Sequence, residues 1–142
     1  MKTESDRPEI KIVIVVAEHL EKGPAANRAA VIATGLAAHV PDMIGANAIT
    51  KDNKSVLGFT QISIPILIAR QNVSLVDLSQ KAESLGCTVI IFLARAQGVR
   101  SYLEYVESIK NTNYADLDID GIGISGETKT VTKLTGNLPS LR

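Results

Sequence analysis

The 142-residue chain predicts a single α/β domain of three layers, in which a mixed or mostly parallel sheet of four or slightly more strands lies between helices. Three observations carry this. Short β-branched apolar runs, too continuous for one-sided strands, alternate with amphipathic stretches of helical length. The length suits one ordinary domain able to bury a real core. The composition, 45% hydrophobic and 21% charged, is that of a globular protein.

Residues 1–9, "MKTESDRPE", read as a flexible solvated arm and residues 10–142 as the domain. "IKIVIVVA" at 10–17 is apolar at almost every position, which fits a central strand covered on both faces. A helix is expected within residues 18–40, opened by Gly23 and Pro24, since proline is tolerated in a first turn. Its polar residues Asn27, Arg28, Thr34 and His39 fall on one stripe, and the rest is rich in Ala, Val, Ile and Leu, so most of it should be buried. The alanines permit close approach to the sheet or to a second copy of the chain, and a homodimer is expected on that ground.

Residues 41–59 carry turn chemistry and predict a short hairpin around Asp52 and Asn53. "QISIPILIAR" at 61–70 reads as a strand, and Pro65, which cannot donate to a ladder, places it at an edge or a bulge. Ser74 and Asp77 form a capping pair for a helix with Leu75, Leu78, Ala82 and Leu85 on one face and Gly86 at its end. "CTVIIFLA" at 87–94 is a second buried strand. Ser101 and Glu104 cap a helix reaching about Lys110, with Tyr102, Tyr105, Val106 and Ile109 on one face. "LDIDGIGISG" at 117–126 is the last strand. Residues 127–135 fit either a strand, by their threonines, or a short amphipathic helix, by Val131 and Leu134.

Gly121, Gly123 and Gly126 have the spacing of a dinucleotide-binding turn. Only 16 residues follow Gly126, too few for a second βαβ half, and Glu127 stands where a phosphate loop needs lysine. These glycines are read as sites where a helix or a neighbouring backbone comes close.

The two charge signs balance at 15 each, which disfavours nucleic acid as a partner because phosphate binding draws on a Lys/Arg excess. The apolar runs are far shorter than the roughly 20 residues of a spanning helix, and the first residues lack a secretory apolar region, so a cytoplasmic protein without a membrane partner is expected. The single cysteine, Cys87, reads as a small buried hydrophobe.

Residues 10–35, with "PDMIG" at 41–45 and "IPILIAR" at 64–70, resemble a bacterial family known only as domain of unknown function 2000, built on the type II peptidyl-tRNA hydrolase fold. Leu20, Asn27, Ala30 and Gly35 occupy the places of that family's L-x-x-W-x-x-x-N-x-x-A-x-x-x-x-G pattern, with Gly23 in place of the tryptophan. "VTKLTGNL" at 131–138 is similar to the closing V-T-G-x-L segment of the hydrolases and favours a helix before Gly136. The resemblance implies the hydrolase-like fold but not its chemistry. The lysine-rich G-K-G-K turn is "GPAA" here, at 23–26, and the D-A-G-R-T-Q segment is replaced within "ARAQGVRSY" at 94–102.

Ligand crevices in α/β sheets lie beyond the carboxyl ends of the strands, which here gathers the segments after the first strand and after "CTVIIFLA". His19 is the candidate general base there, and Lys22, Asn27, Arg28, Arg95, Gln97 and Arg100 are the candidate ligand-binding residues. Arg95 and Arg100 are placed to hold a carboxylate or phosphate, and Asn27 to hold a ligand carbonyl. No metal-ligand set and no cofactor are expected, because His19 and His39 lie on different elements. The resulting expectation is a binding or accessory module for a small anionic or amide-bearing ligand. The alternatives are a hydrolase of altered substrate class using His19 in the same cleft, and a purely structural homodimer.

Overall fold

In the computed structural model, which describes residues 9–70 and 72–142, strand β1 (Ile10–Ala17) is shielded from solvent at all five positions from 12 to 16. Its side chains alternate between two cores. Ile12, Ile14 and Val16 join one cluster, while Val13 and Val15 join the other, as a strand covered on both faces requires. The expected N-terminal arm lies outside the described residues except for Glu9, whose carbonyl accepts from Thr128 N at 3.0 Å.

Helix α1 (Lys22–His39) follows β1, with Gly23 and Pro24 in its first turn and Glu21 in extended conformation before it. A two-stranded ribbon comes next, β2 (Ala48–Ile49) and β3 (Ser55–Val56), turning at Asn53 with φ of 65°. Strand β4 (Ile66–Ala69) leads into α2 (Leu75–Ser84), where Ser74 Oγ accepts from Asp77 N at 3.1 Å. Gly86, at φ 86°, ends that helix in a conformation side chains rarely adopt.

Strand β5 (Thr88–Leu93) continues through a short 3-10 turn to α3 (Tyr102–Lys110), and β6 (Ile119–Glu127) runs directly into α4 (Thr128–Thr135). Residues 128–135 are therefore helical, the reading favoured by the closing segment of the sequence.

The sheet order is β4-β1-β6-β5. β1 and β4 are parallel, and β6 is antiparallel to both β1 and β5, so β1, β4 and β5 all end at the same edge of the sheet. Helix α1 supplies Ala25, Ala29, Ile32 and Leu36 to the core on one face. Helices α2 and α4 supply Leu75, Ala82 and Val131 to the core on the other. The protein is a mixed α/β domain with a four-stranded mixed sheet.

Four sequence expectations change. The strand at 87–94 is not a buried one: β5 lies at the sheet edge, and its first four residues are half-buried. Helix α1 is not mostly buried, since Ala26, Ala30 and Val31 face solvent. Arg28, expected on its polar stripe, points into the core and is 3% exposed. Leu85, expected on the apolar face of α2, is 51% exposed. The β4 edge, where Pro65 precedes the strand, is covered by the chain's last residues: Ile68 N donates to Pro139 O, and Leu141 N to Ile66 O, both at 2.8 Å.

The glycines of β6 are explained by packing. A Cβ at Gly123 would come within 2.4 Å of Ile32 Cγ2, and one at Gly121 within 3.3 Å of the Arg28 stem. They let α1 lie directly on β6.

Candidate functional site

After β1 the chain passes to α1 on one face of the sheet, and after the adjacent parallel strand β4 it passes to α2 on the opposite face. Divergence of two neighbouring connections leaves a crevice beyond the carboxyl ends of those strands. A crevice of about 350 Å³ lies there. Its walls are Glu18 and His19 from the β1–α1 turn and Arg70, Val73 and Leu75 from the β4–α2 turn, and Ala17, Ala69 and Ile119 form its base.

Local geometry sets these positions. Leu20 N donates to Ala17 O at 3.2 Å, a tight turn that puts Glu18 and His19 at its exposed apex. Val73 N donates to Arg70 O at 2.8 Å, which turns the chain into the Ser74 cap of α2. The N-terminus of α2 lies at this same end, with Leu75 lining the crevice and Asp77 N already capped by Ser74. An imidazole, a guanidinium and a helix N-terminus around one concave volume favour a small anion. Glu18 beside them limits how much negative charge the crevice accepts.

The other candidate residues are dispersed. Because β6 lies between β1 and β5, the segments that follow β1 and β5 sit on two sides of β6 and do not form the single cleft expected from the sequence. Lys22 and Asn27 are exposed on the first turns of α1, and Gln97 is exposed in the 3-10 turn after β5, none of them lining the crevice. Arg100 lines a separate groove between α1 and α3.

Two arginines meet carboxylates at the start of β6. Arg95 Nε donates to Asp118 Oδ1 at 2.6 Å, its backbone N to Asp118 Oδ2 at 2.8 Å, and its Nη1 to Ser108 O and Thr112 Oγ1. The carboxylate Arg95 was expected to hold is thus one of the chain's own, and the side chain ties the 3-10 turn to the end of α3. Burial pushes the Asp118 carboxyl up, but the side-chain and backbone hydrogen bonds from Arg95 outweigh it, and the group lies below the usual carboxylate range.

Arg28 Nη2 donates to Asp120 Oδ2 at 2.9 Å and its Nε to Asp120 Oδ1 at 3.2 Å, with its guanidinium carbon 4.5 Å above the Phe92 ring. Leu93 pairs with Ile119 while Phe92 pairs with Gly121, so Asp120 is an extra residue in the β6 strand. This bulge keeps Asp120 on the α1 side. Strict alternation would have turned it to the face of Ile122 and Ile124. Arg28 Nη1 is buried and has no partner among the described residues.

Cys87 is buried beneath Gly126, and burial, followed by the charge of Glu127, pushes its thiol up, which disfavours the nucleophilic thiolate. Among the described residues no group of three His, Cys, Asp or Glu side chains is arranged to hold a metal ion, and no helix is long and apolar enough to cross a membrane.

Arg70 and Val73 escaped the sequence reading. Part of the signal was present, since "IAR" at 68–70 ends a strand just as "VAEH" at 16–19 does, but the parallel pairing that brings the two ends together is seen only in the structure.

The model of a family described as protein of unknown function (DUF2000) matches residues 10–142. No curated protein sequence matches the chain. A solved structure, described as that of a protein of unknown function from Agrobacterium tumefaciens, is similar with a TM-score of 0.83 at 14% identity, covering 94% of this chain and 98% of that one. At that identity the likeness concerns the fold alone.

Proposed function

The chain belongs to the DUF2000 family of proteins of unknown function, and on that footing we propose that it is a binding module for a small anionic ligand held in the crevice between β1 and β4. One observation carries the reading. A concave volume of about 350 Å³ coincides with the point where the two parallel strands send their helices to opposite faces, and His19 and Arg70 both line it. Small-molecule sites of α/β sheets form at such points, and the volume falls in their range of about 300–1,000 Å³.

The finer reading of the fold, as the type II peptidyl-tRNA hydrolase kind, draws support from "VTKLTGNL", which forms most of α4 and its Gly136 end. Peptidyl-tRNA cleavage is not part of the proposal. Lys22, the remaining lysine of that helix start, is exposed and outside the crevice. A hydrolase built on His19 would need an acceptor orienting the ring, and no hydrogen bond fixes His19 among the described residues.

The test is calorimetric titration of the protein with inorganic phosphate, acetate and succinate, alongside thermal unfolding. At least one of these anions is expected to bind and raise the melting temperature by mass action. Because a charge-assisted hydrogen bond contributes about 1.5–3 kcal/mol, Arg70→Ala should weaken binding about tenfold or more, and His19→Ala should weaken it measurably. Binding unchanged in both variants, or no binding of any of the three anions, refutes the proposal.

A further inference from the structure

A second concavity, of about 540 Å³, runs along the α1 side of the exposed sheet edge. Its floor is β5, including Phe92. One wall is α1 at Thr34 and Gly35, and the other is the start of α3 with Tyr102 and Tyr105. Sequence explains why the groove is open and apolar. Gly35 brings α1 so close to β5 that a Cβ there would meet Ile90 Cγ2 at 2.9 Å. Past that contact α3 stands away from the sheet, and none of its residues is fully buried.

The chemistry of the lining is specific. Two phenol rings lie 5.7 Å apart, tilted 40° to one another, on the wall facing α1. Burial, the largest influence, pushes the Tyr105 phenol up from its ordinary value, so it is a neutral hydrogen-bond donor at physiological pH. Thr34 Oγ1 donates to Val31 O at 2.6 Å, which leaves its lone pairs free to accept. Arg100 supplies the charge at the rim. The ion pairs of the described residues do not include it, and Glu104 is the acid nearest to it in the hydrogen bonding, accepting from Arg100 N at 3.3 Å.

We propose that this groove is a second ligand site, separate from the β1–β4 crevice, and that it takes a flat aromatic carboxylate. The ring lies over the β5 floor between α1 and the faces of Tyr102 and Tyr105, and the carboxylate meets Arg100. Aromatic faces favour an aromatic guest over an aliphatic chain of equal area. One guanidinium with no buried acid opposite it favours a single negative charge. The volume lies in the range of small-molecule sites and exceeds that of the crevice.

The probe is naphthalene-2-carboxylate, followed by calorimetry and by amide chemical shifts. Binding should move amides on β5, α1 around Thr34 and α3. Arg100→Ala, at an exposed position, should weaken it about tenfold, and the uncharged 2-naphthamide should bind the parent protein about as weakly as the acid binds that variant. Thr34→Trp, also at an exposed position, should fill the groove and abolish binding, with the circular dichroism of each variant confirming its fold. His19→Ala should leave the affinity unchanged. No binding at millimolar probe overturns the proposal, as does an affinity indifferent to both Arg100→Ala and Thr34→Trp. Loss in His19→Ala places the probe in the other crevice and equally overturns it, whereas failure of phosphate and the small carboxylates at that crevice would leave this groove standing.

Discussion

Two arginine–aspartate pairs open β6 within two residues of each other, and they are built in opposite ways. Arg28–Asp120 is enclosed, with side chains 3% and 5% exposed, and still leaves Nη1 without an acceptor among the described residues. Arg95–Asp118 is open to solvent, 24% and 38% exposed, yet its guanidinium also reaches Ser108 and Thr112. The difference shows that burial and satisfaction are separate properties. The enclosed pair costs desolvation of two charges and is held by the stacking on Phe92 and by the bulge that aims Asp120 at α1. The open pair costs little to form and works as a clip between the 3-10 turn, α3 and β6.

Breaking one half of the enclosed pair should therefore have the largest effect on stability. Arg28→Ala leaves Asp120 charged, buried and alone, and a loss of about 3–5 kcal/mol is expected. For a domain of this size that lowers the melting temperature by about 10 °C or more. Thermal and urea unfolding check this, and a loss below about 1 kcal/mol would show that water reaches Asp120. Replacing both partners, Arg28→Met with Asp120→Leu, should restore stability to the parent value or above it, since no charge is then buried. A double variant as unstable as the single one would mean that the pair itself contributes to stability beyond its mutual compensation.

The close approach of α1 to β6 can be altered without touching a charge. Gly123→Ala sets a methyl against Ile32 Cγ2 and must push the helix away, at a cost of about 1–3 kcal/mol. The same shift should lengthen the Arg28–Asp120 contact and leave Arg95–Asp118 in place. Adding Gly123→Ala to the charge-free Arg28→Met/Asp120→Leu background should then cost less than adding it to the parent protein, a coupling that a double-mutant cycle reads.

These pairs also mark how far the sequence carried. The strand at 10–17, the Ser74 and Ser101 caps and the close-packing role of the β6 glycines were legible because each depends on neighbours in the chain or on residue type alone. Arg28 was not, because a helix pattern assigns arginine to the solvent face unless its partner is known, and Asp120 lies 92 positions away beside a bulge that no local pattern encodes. Strand order was hidden for the same reason: "TVIIFL" reads as an interior strand and lies at the edge, where the groove beside it tolerates an apolar surface. At the candidate site His19 was legible from its place after a strand, whereas Arg70 joined it only once β4 was known to lie parallel to β1.

The open pair should yield the smallest effect and the clearest pH signature. An exposed ion pair contributes about 0–1 kcal/mol, so Asp118→Asn should lower stability by no more than that at neutral pH. Its sign with pH follows from the depressed carboxyl. A group whose folded-state pKa lies below its unfolded value of about 3.9 stabilises above that value, and the stabilisation disappears as pH falls through the folded value. Parent and Asp118→Asn proteins should thus differ fully from neutral pH down to about pH 4, and the gap should shrink as pH falls further through the folded value. High salt should shrink the difference because solvent screens this pair, while leaving the cost of Arg28→Ala nearly intact. Chemical unfolding at pH 7 and pH 3, each with and without 1 M sodium chloride, separates the two behaviours, and a gap between parent and Asp118→Asn that is undiminished at the lower pH would show that the asparagine disturbs the Arg95 clip through shape and not through charge.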